Sequence, residues 1–329
     1  MRKLLVCVLM VACTAAVPSA SSALTAPPLP VLGFQAAGDP LSAIDRSAAA
    51  LGSVGVDGVD VTESGTSVDA PDATLTAPLA RAHHDGRKAV LLVGNWSNLI
   101  NDFSEPVAYR MLSNAANRSR VEHLLAHFVL AQGWDGINVD LESLGPRDTG
   151  GLIAFLRELR AILPARATLS IDLSTETSLG AMQGDGYNLA AIGRAVNSVV
   201  LMAYDENGPW NPNTPGPIGE LTWQRAGLRV LLSQVPAAKV VLGVAGYGYA
   251  WRPSGAVQVS DAQARALCAQ SRVAPQWVAT KGEWTARLRD GSVLWWSDAR
   301  SFQLRRTLAG QFHLSGLAVW DLGQSDPIR

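Results

Sequence analysis

Gly133-Trp134-Asp135-Gly136-Ile137-Asn138-Val139-Asp140-Leu141-Glu142 reads as a β-strand with its polar side chains on a single face. Asn138, Asp140 and Glu142 alternate with Ile137, Val139 and Leu141, and side chains two apart on a strand point the same way. The run stops at Ser143-Leu144-Gly145-Pro146, which puts Glu142 at the carboxyl end of the strand. In parallel α/β architectures that end is where sites are built. A half-buried edge strand with acids facing water would show the same alternation. However, helical stretches at 107–131 and 149–163 flank this one, which marks a βαβ unit and a strand covered on both sides. Carboxylates in such a strand are costly unless they are used.

Working outward, short apolar runs suit strands at 31–35, 58–62, 89–94, 136–142, 168–173, 198–204, 240–247 and 316–320, with helical stretches such as 220–234 and 299–312 between them. Eight βα repeats predict an α/β fold, the closed (β/α)8 TIM barrel; an open doubly wound sheet is the alternative. The chain has 329 residues, 48% hydrophobic and 17% charged, enough for the single barrel domain of about 250 residues that such folds need. Residues 248–297 are too long for an ordinary connection and predict a small insert between strand 7 and the following helix. Only 321–329 follow the last strand, so something other than a long helix must cover that wall.

The amino terminus predicts a signal peptide over 1–23. Arg2-Lys3 precede an apolar run from Leu4 to Val17, and small residues follow. A linker at 24–30 and the catalytic barrel at 31–329 come next. The alternative is lipid anchoring at Cys13. After either cleavage Cys268 lacks a conventional disulfide partner, which suits an exported protein held by its core. The expected location is secreted or cell-wall associated, as a monomer with no transmembrane span in the mature chain. A formal net charge of −1 and the lack of a basic run argue against nucleic acid as a partner.

The segment 135–142 resembles the Asp-x-x-Asp-x-Asp-x-Glu signature of glycoside hydrolase family 18, with Asn138 where most chitinases carry the middle Asp. Three more segments are similar to that family: Leu201-Met202-Ala203-Tyr204-Asp205-Glu206 to its sixth strand, 241–249 to its seventh and Gly316-Leu317-Ala318-Val319-Trp320 to its eighth. The wording is most similar to the branch of spore-cortex-lytic and spore-germination enzymes, and the likeness runs from about Val31 to the end.

A glycosidase needs an acid for the leaving oxygen and a group to stabilise the oxocarbenium-like centre, normally a second carboxylate. Asp140 lies two residues from Glu142 on one strand, their α-carbons about 6.6 Å apart by strand rise, so both project from one side of a bound sugar. That arrangement does not suit attack from the opposite face. The resemblance implies the missing nucleophile, the substrate's own 2-acetamido oxygen. It further implies Glu142 as general acid and then base, Asp140 as the group that raises its neighbour's pKa and orients the acetamide, and Tyr204 as a donor to the acetamide oxygen. Asn138 would donate to Asp140, and its inability to titrate would remove one coupled ionisation. Asp135 is a supporting position of the motif. Asp205 and Tyr247 would hold the sugar and Trp320 would floor it; Trp96, at a strand end, is a candidate to stack along it, with packing as the alternative. The implied partner is a glycan containing N-acetylglucosamine, chitin-like or peptidoglycan, with no cofactor and no metal.

Trp210, Trp251, Trp295 and Trp296 are read either as stacking platforms or as packing. His83-His84 and His123/His127 have metal-compatible spacing without accompanying ligands, and read as surface or packing residues. Asn95-Trp96-Ser97 and Asn117-Arg118-Ser119 match the glycosylation pattern, a common match. Gly246-Tyr247-Gly248 lacks the third glycine of a dinucleotide fingerprint. Two rival functions share the barrel: a catalytically silent, lectin-like glycan binder, and a metal enzyme that would need a third ligand beside Asp140 and Glu142.

Overall fold

The computed structural model describes residues 29–329. The signal-peptide and Cys13 readings, and the linker up to residue 28, lie outside them. Eight parallel strands close into a barrel in chain order: Val31–Gln35, Leu51–Asp60, Lys88–Gly94, Gly136–Asp140, Thr168–Ser174, Ser198–Met202, Val240–Ala245 and Gly316–Trp320, the last pairing back onto the first. We refer to these as the first to eighth barrel strands. Among the described residues no helix is long and apolar enough to cross a membrane.

The fourth strand shows why the barrel closes. Ile137, Val139 and Leu141 are buried in the large cluster between strands and outer helices, while Asn138 and Asp140 are buried on the other face, inside the barrel. The helix Thr149–Ile162 lays Leu152, Phe155, Leu156 and Leu159 against the outer face, a spacing of three and four that makes one apolar stripe. Each such burial stabilises by about 1.5–3 kcal/mol. Phe34, Leu92, Val200 and Ala318 fill the interior from other strands.

Three expectations are corrected. The second strand starts at Leu51 rather than near 58, its glycine-rich first half pairing with the first strand across a one-residue register shift at Gly52. The single helix expected over 107–131 is two, Glu105–Leu112 and Ala115–Gln132, because the Asn114 side chain caps Ala116 and Asn117 and starts a new helix. The fourth, sixth and seventh strands end at Asp140, Met202 and Ala245, two residues before their expected ends, so Glu142 and Tyr204 lie just past their strands.

Between the seventh strand and helix Ala299–Gln311, residues 247–296 form a five-stranded antiparallel sheet crossed by helix Asp261–Ser271. Its own core comprises Ala250, Val259, Ala264, Cys268, Leu294 and Trp296. Trp251 and Trp296 are buried there as packing residues, and Trp296 stacks on Trp284. The wall after the eighth strand is covered by the tail itself. Leu322 donates its N–H to Phe34 and fills the space beside Gly33, Ile328 is buried with its N–H on Ser47 Oγ, and Arg46 ties down the Ser325 carbonyl.

Candidate active site

The carboxyl ends of the strands surround a cleft of about 460 Å3, lined by Asp57, Asp60, Trp96, Phe103, Asp140, Glu142, Met202, Tyr204, Asp205 and Trp320, among others. Asp140 projects into it from the last position of the fourth strand. Glu142 follows two residues later and is fixed through its backbone. Its N–H donates to Asn95 Oδ1 at 2.9 Å, and its carbonyl accepts from Asn95 Nδ2 at 3.0 Å. Asn95 is fully buried and also donates to the Ser104 carbonyl, so its amide serves as a latch across the third and fourth strands.

Burial pushes the Glu142 carboxyl up to about 7, with the charges of Asp205 and Asp102 adding to it. Asp140 is held well above the usual carboxylate range, first by burial and then by Glu142, Asp172, Asp57 and Asp60. The two carboxylates repel each other, so each favours the protonated form of its neighbour. One Asp140 oxygen, Oδ1, is buried and has no hydrogen-bond partner among the described residues. The Tyr204 phenol is pushed well above its ordinary value by burial and by nearby acids, so it stays a proton donor.

Asp205 stands in a left-handed backbone conformation, φ 62°, just past the sixth strand. A non-glycine residue there costs of order 1–3 kcal/mol and needs holding in place. Tyr247 donates to Asp205 Oδ1 at 2.5 Å and Tyr249 at 3.0 Å. Trp320, half-buried, tilts against Phe34 with ring centroids 5.5 Å apart, and Trp96 meets Phe103 edge to face at 5.4 Å across a short hairpin. Trp210 is 59% exposed and edges onto Tyr249.

The family comparison agrees with this arrangement. The model for "Glycosyl hydrolases family 18" matches residues 44–325. The chain belongs to glycosyl hydrolase family 18. As a family 18 member it is a glycosidase. It is 25% identical over 270 residues to the uncharacterized glycosylase YvbX of Bacillus subtilis, covering 78% of this chain and 75% of that one. It is 30% identical over 249 residues to the cortical fragment-lytic enzyme of Bacillus subtilis, covering 70% of this chain and 56% of that enzyme. The chain therefore spans between about half and three quarters of these relatives. A crystal structure of a class V chitinase from Pseudomonas fluorescens Pf-5 superposes with a TM-score of 0.82 at 25% identity, covering 91% of this chain and 96% of that one.

Within the family 18 motif two residues sit differently from the sequence reading. Asn138 donates from Nδ2 to Asp172 Oδ2 at 2.6 Å and accepts from Ser170 Oγ at 2.6 Å; its amide is engaged with the fifth strand and not with Asp140. Asp135 lies at the amino end of the fourth strand, away from the cleft, where Oδ2 accepts from Ala89 N–H and pairs with His83 Nε2, both at 2.9 Å. The other histidines are engaged locally: His84 with Asp85, His123 with the Ser119 carbonyl and His127 beside Phe128. Among the described residues no group of His, Cys, Asp or Glu is placed to hold a metal ion.

Sequence reasoning missed Asp172, Asp57 and Asp60. Asp172 is buried, and its carboxyl is pushed up to about 8 by burial and by Glu142, against the Asn138 hydrogen bond. It places a titratable carboxyl behind Asn138, on the next strand. The signal was available in Leu169-Ser170-Ile171-Asp172-Leu173-Ser174, which alternates like the fourth strand. Asp57 and Asp60 are three apart, and a regular strand would turn them to opposite faces. One extra residue between Val56 and Val59, relative to the third strand, lets both reach the cleft. Gly94 is required beside them, since a Cβ there would sit 2.7 Å from Asp60 Oδ1.

Proposed function

We propose that this glycosidase is a secreted retaining hydrolase that cleaves β-1,4 linkages in glycans containing N-acetylglucosamine, with the substrate's 2-acetamido oxygen as nucleophile. The observation that carries this reading is the placement of Asp140 and Glu142 in one cleft, two residues apart at the end of one strand, with burial raising both carboxyls. Glu142, pushed up to about 7, carries its proton at mildly acidic pH; it gives that proton to the leaving oxygen and, left as a carboxylate, takes one back from the incoming water, so the cycle closes. Asp140, raised by burial and by four nearby acids, projects from the same strand end as Glu142, which does not suit attack on the opposite face of the sugar. Its role is then to engage the acetamide and turn the acetamide oxygen toward the anomeric carbon.

Tyr204, a persistent donor at the mouth of the barrel, would hold the acetamide oxygen, and Asp205, next in the same loop, would bind the same sugar. Trp320 offers the apolar floor and Trp96 a side wall. The segment 1–23 would direct export. The similarity to a cortical fragment-lytic enzyme and to a chitinase supports a substrate of N-acetylglucosamine-containing polymer, either peptidoglycan or chitin-like.

The test is product analysis on N-acetylglucosamine oligomers and on purified peptidoglycan, with the anomer of the new reducing end followed by NMR. Early release of the β-anomer is expected. Initial release of the α-anomer would contradict substrate assistance, and binding without cleavage of either substrate would favour the lectin-like reading.

A further inference from the structure

The loop after the sixth strand, 203–220, carries Tyr204, Asp205 and Trp210, yet little of its hold comes from the barrel. Gln224 donates to the Ala203 carbonyl at 2.7 Å at one end. At the other end the fixation is supplied by a carboxylate of the insert. Glu283, on the strand Glu283–Arg287, accepts the Ile218 N–H on Oε2 at 2.7 Å and the Gly219 N–H on Oε1 at 2.9 Å. The same Oε1 accepts from Arg305 Nη2 at 3.1 Å. Arg305 comes from the helix Ala299–Gln311 and also donates to the Gly219 carbonyl at 2.6 Å and to the Gly282 carbonyl. Both side chains of the pair are 1% exposed.

These contacts join three separate pieces of chain: the sixth-strand loop, the insert hairpin at 278–283 and the outer helix. Gly282 makes the junction possible. It adopts φ +71°, and a Cβ there would stand 2.6 Å from Arg305 Nη1. The hold passes on to the cleft along the backbone. The Ile218 carbonyl accepts the Glu206 N–H at 2.9 Å, the Glu206 carboxylate accepts the Glu220 N–H at 2.8 Å, and Asn207 donates to the Pro217 carbonyl at 2.9 Å. Glu206 is the neighbour of Asp205, whose carboxylate is gripped from the other side by Tyr247 and Tyr249 on the first strand of the insert. The insert therefore grips this loop twice, by the side chain of Asp205 and by the backbone at 218–219.

We propose that the buried Glu283–Arg305 pair is a positioning device for the reaction: it fixes the 218–219 backbone so that Asp205 is held in its left-handed conformation beside Glu142. The inference rests on the reading of Glu142 as the general acid. A fold does not need such a pair, because replacing a buried ion pair by apolar groups of similar volume is often neutral for stability. What the pair provides and an apolar replacement does not is a fixed set of acceptors and donors for the 218–219 backbone.

The proposal separates from a purely structural role through the pH profile. The groups facing Glu142 are Asp205 from the sixth-strand loop, Asp102 from the hairpin at 96–103, Asp140 on its own strand, Asp172 on the fifth strand, and the hydroxyls of Tyr187 and Tyr204. Of the charges raising Glu142, Asp205 is the larger. Moving Asp205 away lowers the pKa of Glu142, so the alkaline limb of kcat moves to lower pH; loss of fold alone reduces the active fraction without moving the limb.

The experiment compares the intact wild-type chain with the double variant Glu283→Gln/Arg305→Met on an N-acetylglucosamine oligomer, with thermal melting as the check on folding. The folded double variant is expected to lose about 10- to 100-fold in kcat, the scale of a misplaced catalytic geometry, with its alkaline limb at lower pH. If that variant does not fold, Gly282→Ala presses on the Arg305 guanidinium while keeping both charges, and the same two changes are expected in it. Wild-type turnover together with a folded variant of unchanged kcat and unchanged limb overturns this proposal alone. No turnover by the wild type overturns the functional reading and this proposal with it.

Discussion

Asn138 gives its amide proton to Asp172, with Nδ2 2.6 Å from Oδ2, and not to Asp140 two residues along its own strand. The bond crosses from the fourth to the fifth barrel strand in a fully buried layer, where Ser170 completes it by donating to Asn138 Oδ1. Asp140 keeps a buried oxygen, Oδ1, without a hydrogen-bond partner among the described residues, and Asp172 lies behind Asn138 on the next strand.

Asn138→Ala removes the donor to Asp172 and the acceptor for Ser170 together. A buried polar group left without a partner costs about 1–3 kcal/mol, so the variant is expected to melt several degrees lower while still folding. Thermal denaturation at a fixed mildly acidic pH measures this. An unchanged melting temperature would mean that the bond contributes nothing.

Asp172 links stability to pH. Burial pushes its native carboxyl up to about 8 from an ordinary value of 3.8, so between these limits the unfolded chain has lost the proton that the native chain keeps. Stability from this group is full below the unfolded value and falls as pH rises through the native one. Asp172→Asn is expected to flatten the decline in melting temperature between about pH 5 and about pH 8. Parallel curves for wild type and variant would show that another group sets the slope.

The position of the alkaline limb of kcat reports Glu142. Its carboxyl, pushed up to about 7, is raised partly by Asp205, so Asp205→Asn, which still accepts from Tyr247 and Tyr249, is expected to lower it and move the limb below its wild-type position. A limb that stays in place or moves upward in a pH series on a soluble oligomer would sink the assignment of that limb to Glu142.

Asp135 tests the division between the two ends of one strand. Its carboxylate pairs with His83 and the Ala89 N–H at the mouth opposite the cleft. Asp135→Asn is expected to lower the melting temperature by a few degrees and to leave kcat and KM within about twofold. A selective loss of kcat would show that the position acts on the reaction.

What the sequence discloses and what it hides follow from the range of the interactions. The fourth strand and the helix Thr149–Ile162 are legible because each repeats its own period, two and about 3.6, over a sufficient length. The second strand is obscured at its start because Gly52 and Gly55 look like turn residues, and at its end by the extra residue that brings Asp57 and Asp60 to one side. The break at Asn114 hides within an otherwise continuous helical pattern, since only a cap distinguishes two helices from one. Asp172 could have been found from its alternation. The Asn95 latch on Glu142 spans 47 residues, and the Glu283–Arg305 pair unites an insert strand with a helix; neither leaves a local trace, since both arise only when the barrel closes.

Glu142 is the proposed proton donor of a hydrolase acting on N-acetylglucosaminides. The most direct test of that role is the turnover of an N-acetylglucosamine oligomer by wild type and by Glu142→Gln, with oligomer binding and circular dichroism measured on the same samples. The account predicts cleavage by the wild type, and in the variant a loss of at least about 1000-fold with fold and binding retained. Undiminished turnover by folded Glu142→Gln, or binding without any turnover by the wild type, would contradict it.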